Sequence, residues 1–232
     1  MNGIARRCGR QVAVIATGFA AATCMLFAQS PATSREVWQR PDDIVAALAL
    51  TAGSRVADVG AGDGFFTVRL ARAVGPEGRV LAVDIDQKML ERLKQLVEND
   101  RLSNVDVIRG EPNDPRLPAD SVDAVLIVNA YHEMPEHAAM LERIREALRA
   151  NGRLVIVEPI TDRRRHEPRA AQVKAHELAP EYVVGELHTA GFRVERLDAA
   201  FSSNPVTGEI NWIIVAVPGA RAPVGDRQEP SP

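Results

Sequence analysis

Asp58, Gly60, Gly62 and Gly64 stand at alternate positions in the run Val56–Thr67, VADVGAGDGFFT. Glycine lets a backbone turn sharply and approach a bound molecule closely, because no Cβ intervenes. A helix beginning at Phe65 would direct its free N–H groups at whatever lies there. Asp84 ends the next apolar run, Arg79–Asp84, one helix and one strand further on. In a parallel sheet that spacing brings its carboxylate beside the glycines at the carboxyl edge. A carboxylate so placed accepts hydrogen bonds from paired hydroxyls such as those of a ribose. A third group, Asn129, Ala130, Tyr131, His132, Glu133 and Met134, follows the apolar run that ends at Val128. It contains the candidate catalytic residues, His132 and Tyr131, to take a proton or orient a reactant; imidazole is suited to the first task near neutral pH.

The elements that must hold these groups can be read from the apolar pattern. Helix Asp42–Leu50 precedes strand Arg55–Val59, and helix Phe65–Val74 is stopped by Gly75-Pro76. Strand Arg79–Asp84 leads to helix Gln87–Glu98, for which Asp86 is the natural cap. Strand Asn104–Ile108 runs into a loop broken by Pro112, Pro115 and Pro118, and a fourth strand ends at Val128. A helix from Pro135 to Ala150, with Asn151-Gly152 as a left-handed stop, precedes strand Arg153–Glu158. The run Thr161–Lys174, carrying Arg163, Arg164, Arg165 and Arg169, reads as a solvated loop able to meet an anionic substrate. A helix from Pro180 to Ala190 and a strand pair, Phe192–Leu197 and Ile210–Val217, complete the chain. This alternation predicts an α/β fold: one domain with a doubly wound, mostly parallel sheet and helices on both faces.

The glycine spacing discriminates between ligands. A dinucleotide fingerprint, G-x-G-x-x-G, is not met, because Phe65 stands where its third glycine belongs. The pattern D-x-G-x-G-x-G, with an acid ending the following strand, resembles the class I (Rossmann-like) S-adenosylmethionine-dependent methyltransferases across residues 42–217. The resemblance implies seven strands in the order 3-2-1-4-5-7-6, with strand 7 antiparallel. It implies S-adenosyl-L-methionine as cofactor, bound by Asp58, Gly60, Ala61, Gly62 and Gly64, with Asp84 and the adjoining Ile85 at the ribose. Glu111, or Asp114 nearby, would accept the adenine amino group. Asn129 would face the methyl group, and His176 would roof the acceptor pocket. The N-P-P-Y type of motif used on nucleobase amino groups is missing, with Ala130 and Tyr131 where its prolines would be. The expected reaction is methyl transfer to a small-molecule acceptor by direct displacement. The alternative is a module that binds S-adenosylmethionine with little or no turnover.

The composition fits that reading. A net charge of -3 provides no field to draw in nucleic acid. No pair of histidines or acids stands at metal-ligand spacing, so no metal is expected. Residues 1–28 read as a signal peptide or amino-terminal anchor: Arg6, Arg7 and Arg10 precede the uncharged apolar run Val12–Phe27. That run is shorter than the roughly 20 residues of a spanning helix. Both cysteines, Cys8 and Cys24, lie within residues 1–28, so the cleaved chain neither needs nor forms a disulfide. Residues 29–41 read as a linker, 42–217 as the methyltransferase domain and 218–232 as a disordered Pro/Gly-rich tail. The expected location is exported, periplasmic or secreted. Retention of the segment would anchor the protein in the inner membrane, and a different start site would leave it cytoplasmic.

Overall fold

The computed structural model describes residues 34–219. The expectations for the leader at 1–28 and for the tail past 219 lie outside the described residues. The first half of the domain comprises β1 (Arg55–Val59), α3 (Phe65–Val74), β2 (Arg79–Asp84), α4 (Gln87–Asn99) and β3 (Val105–Arg109), preceded by α1 (Arg35–Trp38) and α2 (Pro41–Ala47). The second half runs through β4 (Val122–Val128), α5 (His137–Ala147), β5 (Leu148–Ile160), α6 (Arg169–Lys174), α7 (Pro180–Thr189), β6 (Phe192–Ser203) and β7 (Ile210–Pro218).

The seven strands lie in the order β3-β2-β1-β4-β5-β7-β6, as the resemblance implied. The β3-β2, β2-β1, β1-β4 and β4-β5 pairs are parallel, whereas β7 is antiparallel to both β5 and β6. Successive residues of a strand point to opposite faces, and here both faces are covered, which is why the strands read as almost unbroken apolar runs. Ala57, Val59, Val125 and Ile127 pack beneath α5 and α7. Val56, Val80, Ala124 and Leu126 pack against α2 and α3 on the other face. The strand order reverses between β1 and β4, and a crevice opens there at the carboxyl ends of the strands.

Three segments depart from the expectations of the sequence. The segment expected as a linker contains α1, capped by Ser34 and held to α3 by Arg35, whose guanidinium lies 4.0 Å from the Phe65 ring centroid. The helix expected to reach Ala150 ends at Ala147, because Leu148 pairs with Val122 at the start of β4 and is buried; no left-handed stop forms. Strand pairing outweighs the helical propensity of these residues. The basic run is not an open loop, since α6 forms within it. The amide of the fully buried Gln172 donates to the carbonyls of Arg164, Arg165 and Glu167 and accepts from the N–H of Ala179.

Candidate functional site

A cleft of about 420 Å³ lies at the topological switch point, within the size range of small-ligand sites. Gly60 and Gly62 form one wall. The N–H groups of Gly60 and Ala61 both donate to the carbonyl of Val83, at 2.9 and 3.0 Å, which pins the glycine loop to the end of β2. Three residues of the loop need left-handed backbone: Gly60 (φ 79°), Gly62 (φ 54°) and Gly64 (φ 83°). A side chain at Gly60 would place its Cβ 2.4 Å from the Cβ of Ala130, so the loop and the end of β4 close together only without one. At Gly62 a Cβ would meet nothing nearer than a loop carbonyl at 4.0 Å, and the bare backbone faces open space.

Asp84 ends β2 within this cleft, with Ile85 beside it. Its Oδ2 accepts the Gly62 N–H at 2.8 Å and its Oδ1 accepts the Asp86 N–H at 2.9 Å. The carboxylate is thereby fixed in orientation, and each oxygen retains a lone pair for a further donor. Capping of α4 falls to Asp86, which accepts from the N–H groups of Lys88 and Met89. Asp84→Ala is expected to weaken cofactor binding by roughly 1.5 to 3 kcal/mol, the worth of hydrogen bonds to a charged group. Calorimetric titration with S-adenosylmethionine reads this directly; unchanged affinity in a folded variant would remove Asp84 from the site.

Glu111 and Asn129 also line the cleft. Glu111 exchanges backbone hydrogen bonds with Asp114 across a tight turn, and its carboxylate pairs with Arg116. Of the two acids weighed for the adenine contact, only Glu111 is in the lining, and the same face of the crevice carries the apolar side chains of Met89 and Met134. Asn129 adopts φ 52°, left-handed backbone that asparagine tolerates better than most residues.

Asp58, Ala61 and Gly64, expected at the cofactor, are not among the residues that line the cleft. Asp58 is buried at the end of β1, and its Oδ2 accepts the hydroxyl of Thr67, tying β1 to α3. Burial, only partly offset by that hydrogen bond, raises its pKa to about 6. The folded protein therefore favours protonated Asp58. The resulting stability is complete below the unfolded-state value of 3.8 and is lost as pH rises through about 6, a total of about 3 kcal/mol. Asp58→Asn keeps an oxygen for Thr67 and removes this dependence. Its stability relative to the parent is expected to grow between about pH 4 and pH 6 and then level off. Denaturant melts across that range test the claim, and parallel profiles would refute it.

The end of β4 is organised by a residue that the sequence reading passed over. Glu158, on β5, is completely buried. Its Oε1 accepts the N–H groups of Ala130 and Tyr131 at 2.8 and 2.7 Å, while its Oε2 lies 2.5 Å from Nδ1 of His132. One carboxylate thus shapes the loop and fixes the imidazole. In the sequence Glu158 was visible only as the polar end of a strand. Burial pulls the pKa of His132 down, but the Glu158 hydrogen bond and the charges of Glu158 and Glu133 outweigh it, leaving it above the ordinary value. Nε2 of His132 is buried and without a hydrogen-bond partner, 3.7 Å from Glu133, which lines the cleft.

Tyr131 requires a correction. Its ring lies in the core and its hydroxyl donates to Glu186 on α7 at 2.8 Å. Burial, followed by the charge and hydrogen bond of Glu186, holds the phenol well above its usual pKa. It braces α7 and is not a proton acceptor at the cleft. The basic run is likewise committed elsewhere: Arg164 pairs with Glu177, Arg165 with Glu181 and Arg169 with Glu186.

A methyltransferase-domain family model matches residues 56–152. The demethylmenaquinone methyltransferase of Geobacillus stearothermophilus is 30% identical over 121 residues, 52% of this chain and 51% of that protein. The chain therefore spans about half the length of the curated relatives it matches. Among solved structures, an S-adenosylmethionine-dependent methyltransferase from Aquifex aeolicus superimposes with a TM-score of 0.67 at 26% identity, covering 81% of this chain and 93% of that one. The [4+2]-cyclase SpnF shares the fold at 17% identity, with a TM-score of 0.64 over 79% of this chain and 82% of its own. The cleft fits the cofactor: it combines a fixed carboxylate with free lone pairs, a bare glycine backbone and apolar walls able to hold a planar base. Residues 56–152 are thus a methyltransferase domain, and the strand order around it is that of the class I S-adenosylmethionine-dependent methyltransferases, with S-adenosyl-L-methionine as the cofactor.

Proposed function

We propose that the protein methylates a small-molecule acceptor by direct displacement, with the acceptor seated against the Asn129–Glu133 end of β4. The observation that carries this reading is the convergence on one crevice of Gly60, Gly62, Asp84, Asn129 and Glu133, with the Glu158-held His132 buried directly behind Glu133. When bound, S-adenosylmethionine supplies an electrophilic methyl group on a sulfonium. The chain's own work is chiefly positional. Asp84 and the glycine backbone fix one reactant while the β4 loop, made rigid by Glu158, fixes the other, and such alignment can contribute about 7 to 11 kcal/mol. His132 has its Nδ1 held by Glu158, leaving Nε2 as the atom to act on an acceptor's hydroxyl or activated carbon.

A small acceptor, rather than nucleic acid, suits a site whose nearby arginines Arg164, Arg165 and Arg169 are paired with glutamates. The named activity of the demethylmenaquinone methyltransferases adds support for an acceptor of that size. The test is transfer of labelled methyl from S-adenosylmethionine into a metabolite extract supplemented with reduced quinones. Incorporation into a small molecule is expected. Tight cofactor binding without label in any acceptor would instead establish a binding module.

A further inference from the structure

His132, Glu133 and His176 meet around Glu133, the one of the three that lines the cleft, although His176 is remote from the other two in sequence. Their ligand atoms all lie within 4.8 Å of one another. Nδ1 of His176 is 3.4 Å from Oε1 of Glu133, and Nε2 of His132 is 3.7 Å from the same oxygen. Two ligands each about 2.0–2.1 Å from a tetrahedral ion are about 3.3–3.4 Å apart. Two of the three separations are therefore close to the edge of a coordination tetrahedron, and the third does not exceed 4.8 Å.

We propose that these side chains bind a divalent transition-metal ion, zinc foremost, leaving a coordination position open toward the cleft. Two imidazoles and one carboxylate form a donor set suited to zinc and its first-row neighbours, and three protein ligands with an open position are the pattern of reactive rather than closed sites. Three features support the assignment. The His132 side chain is only 4% exposed, yet its Nε2 has no hydrogen-bond partner, so a buried polar atom is aimed at the cluster with nothing to satisfy it. Its other nitrogen meets a buried carboxylate, the arrangement that fixes a metal-ligating imidazole and increases its basicity. His176 is carried in by a built support, because Gln172 and Glu177 knit the segment around α6 together, Glu177 accepting both the N–H and the hydroxyl of Thr161. At His176 the backbone itself is left-handed (φ 59°). An ion here would sit at the edge of the acceptor space, where its open position could receive an acceptor oxygen. That consequence rests on the methyl-transfer reading, whereas metal binding itself does not; with the ion bound, Nε2 of His132 is a ligand and no longer a proton acceptor.

The experiment uses the full chain, stripped with a chelator and titrated separately with zinc and with cobalt(II) in the absence of S-adenosylmethionine. One equivalent is expected to bind with micromolar or tighter affinity, and cobalt(II) should show the intense visible bands of a four-coordinate ion. His176→Asn, chosen because asparagine accepts left-handed backbone, and Glu133→Gln should each weaken zinc binding by about tenfold or more. A parallel S-adenosylmethionine titration of the His176→Asn variant, whose side chain is not part of the cleft lining, should match the parent, which separates failure of this site from failure of the cofactor assignment. Absence of saturable binding at millimolar zinc, or equal affinity in the folded His176→Asn variant, would overturn the proposal.

Discussion

Glu158→Gln is expected to fold and to bind S-adenosylmethionine like the parent, yet to lose about 10²- to 10⁴-fold in turnover, the usual span of an acid–base contribution. Glutamine retains one oxygen for the N–H groups of Ala130 and Tyr131, so the loop after β4 keeps its shape. The other terminal atom becomes an N–H donor facing Nδ1 of His132. The imidazole must then accept at Nδ1 and carry its proton on Nε2, which removes the lone pair from the nitrogen aimed toward the cleft. The structural and chemical roles of Glu158 separate in a second variant. Glu158→Ala leaves two buried N–H groups and His132 unpaired and is expected to cost about 3–5 kcal/mol of stability. Denaturant melts and single-turnover kinetics on both variants check the pair. A glutamine variant with undiminished turnover would remove His132 from the reaction.

Gly60→Ala is expected to abolish detectable cofactor binding or to unfold the first half of the sheet. At φ 79° an alanine is strained, and backbone of this kind costs about 1–3 kcal/mol. Its Cβ would also stand 2.4 Å from the Cβ of Ala130, an atom attached directly to the main chain and unable to rotate away. Overpacking typically adds about 1–3 kcal/mol. Relief can come only by moving the glycine loop from β4, which opens the joint between the cofactor side and the acceptor side. Gly64→Ala offers an internal comparison, since its Cβ would meet chiefly the terminal methyl groups of Leu96 and Leu93, which can turn aside. Gly60→Ala should therefore be the more damaging by calorimetry and by thermal melts. Equal behaviour of the two would show that the close approach to Ala130 is immaterial.

The features legible in the sequence were those set by local spacing. Alternating apolar runs, glycines at fixed intervals and an acid at a strand end were enough for the α/β class and for the cleft positions Gly60, Gly62 and Asp84, while the sheet order and the positions Ile85, Glu111 and Asn129 came with the family resemblance that those residues carry. Asp86 was distinguishable from Asp84 because a helix cap has its own positional logic. What escaped depends on contacts between distant segments. Tyr131 and His132 are neighbours in the chain, yet one turns into the core toward Glu186 and the other toward Glu158. Nothing in their spacing announces that division, because the partners lie on α7 and β5. The basic run was misleading for the same reason: Arg164, Arg165 and Arg169 face acids farther along the chain, and of the four arginines Arg163 alone is exposed. His176 shows no ligand spacing with His132 because the ligands come from segments joined only by the fold.

The segment that matches the family ends at residue 152, before Glu158 and His176. A chimera that took only residues 56–152 from this chain would carry Gly60, Gly62, Asp84 and His132, but not Glu158, the carboxylate that holds the imidazole. The end of the shared stretch thus falls inside β5, with an imidazole on one side of it and the group that orients that imidazole on the other.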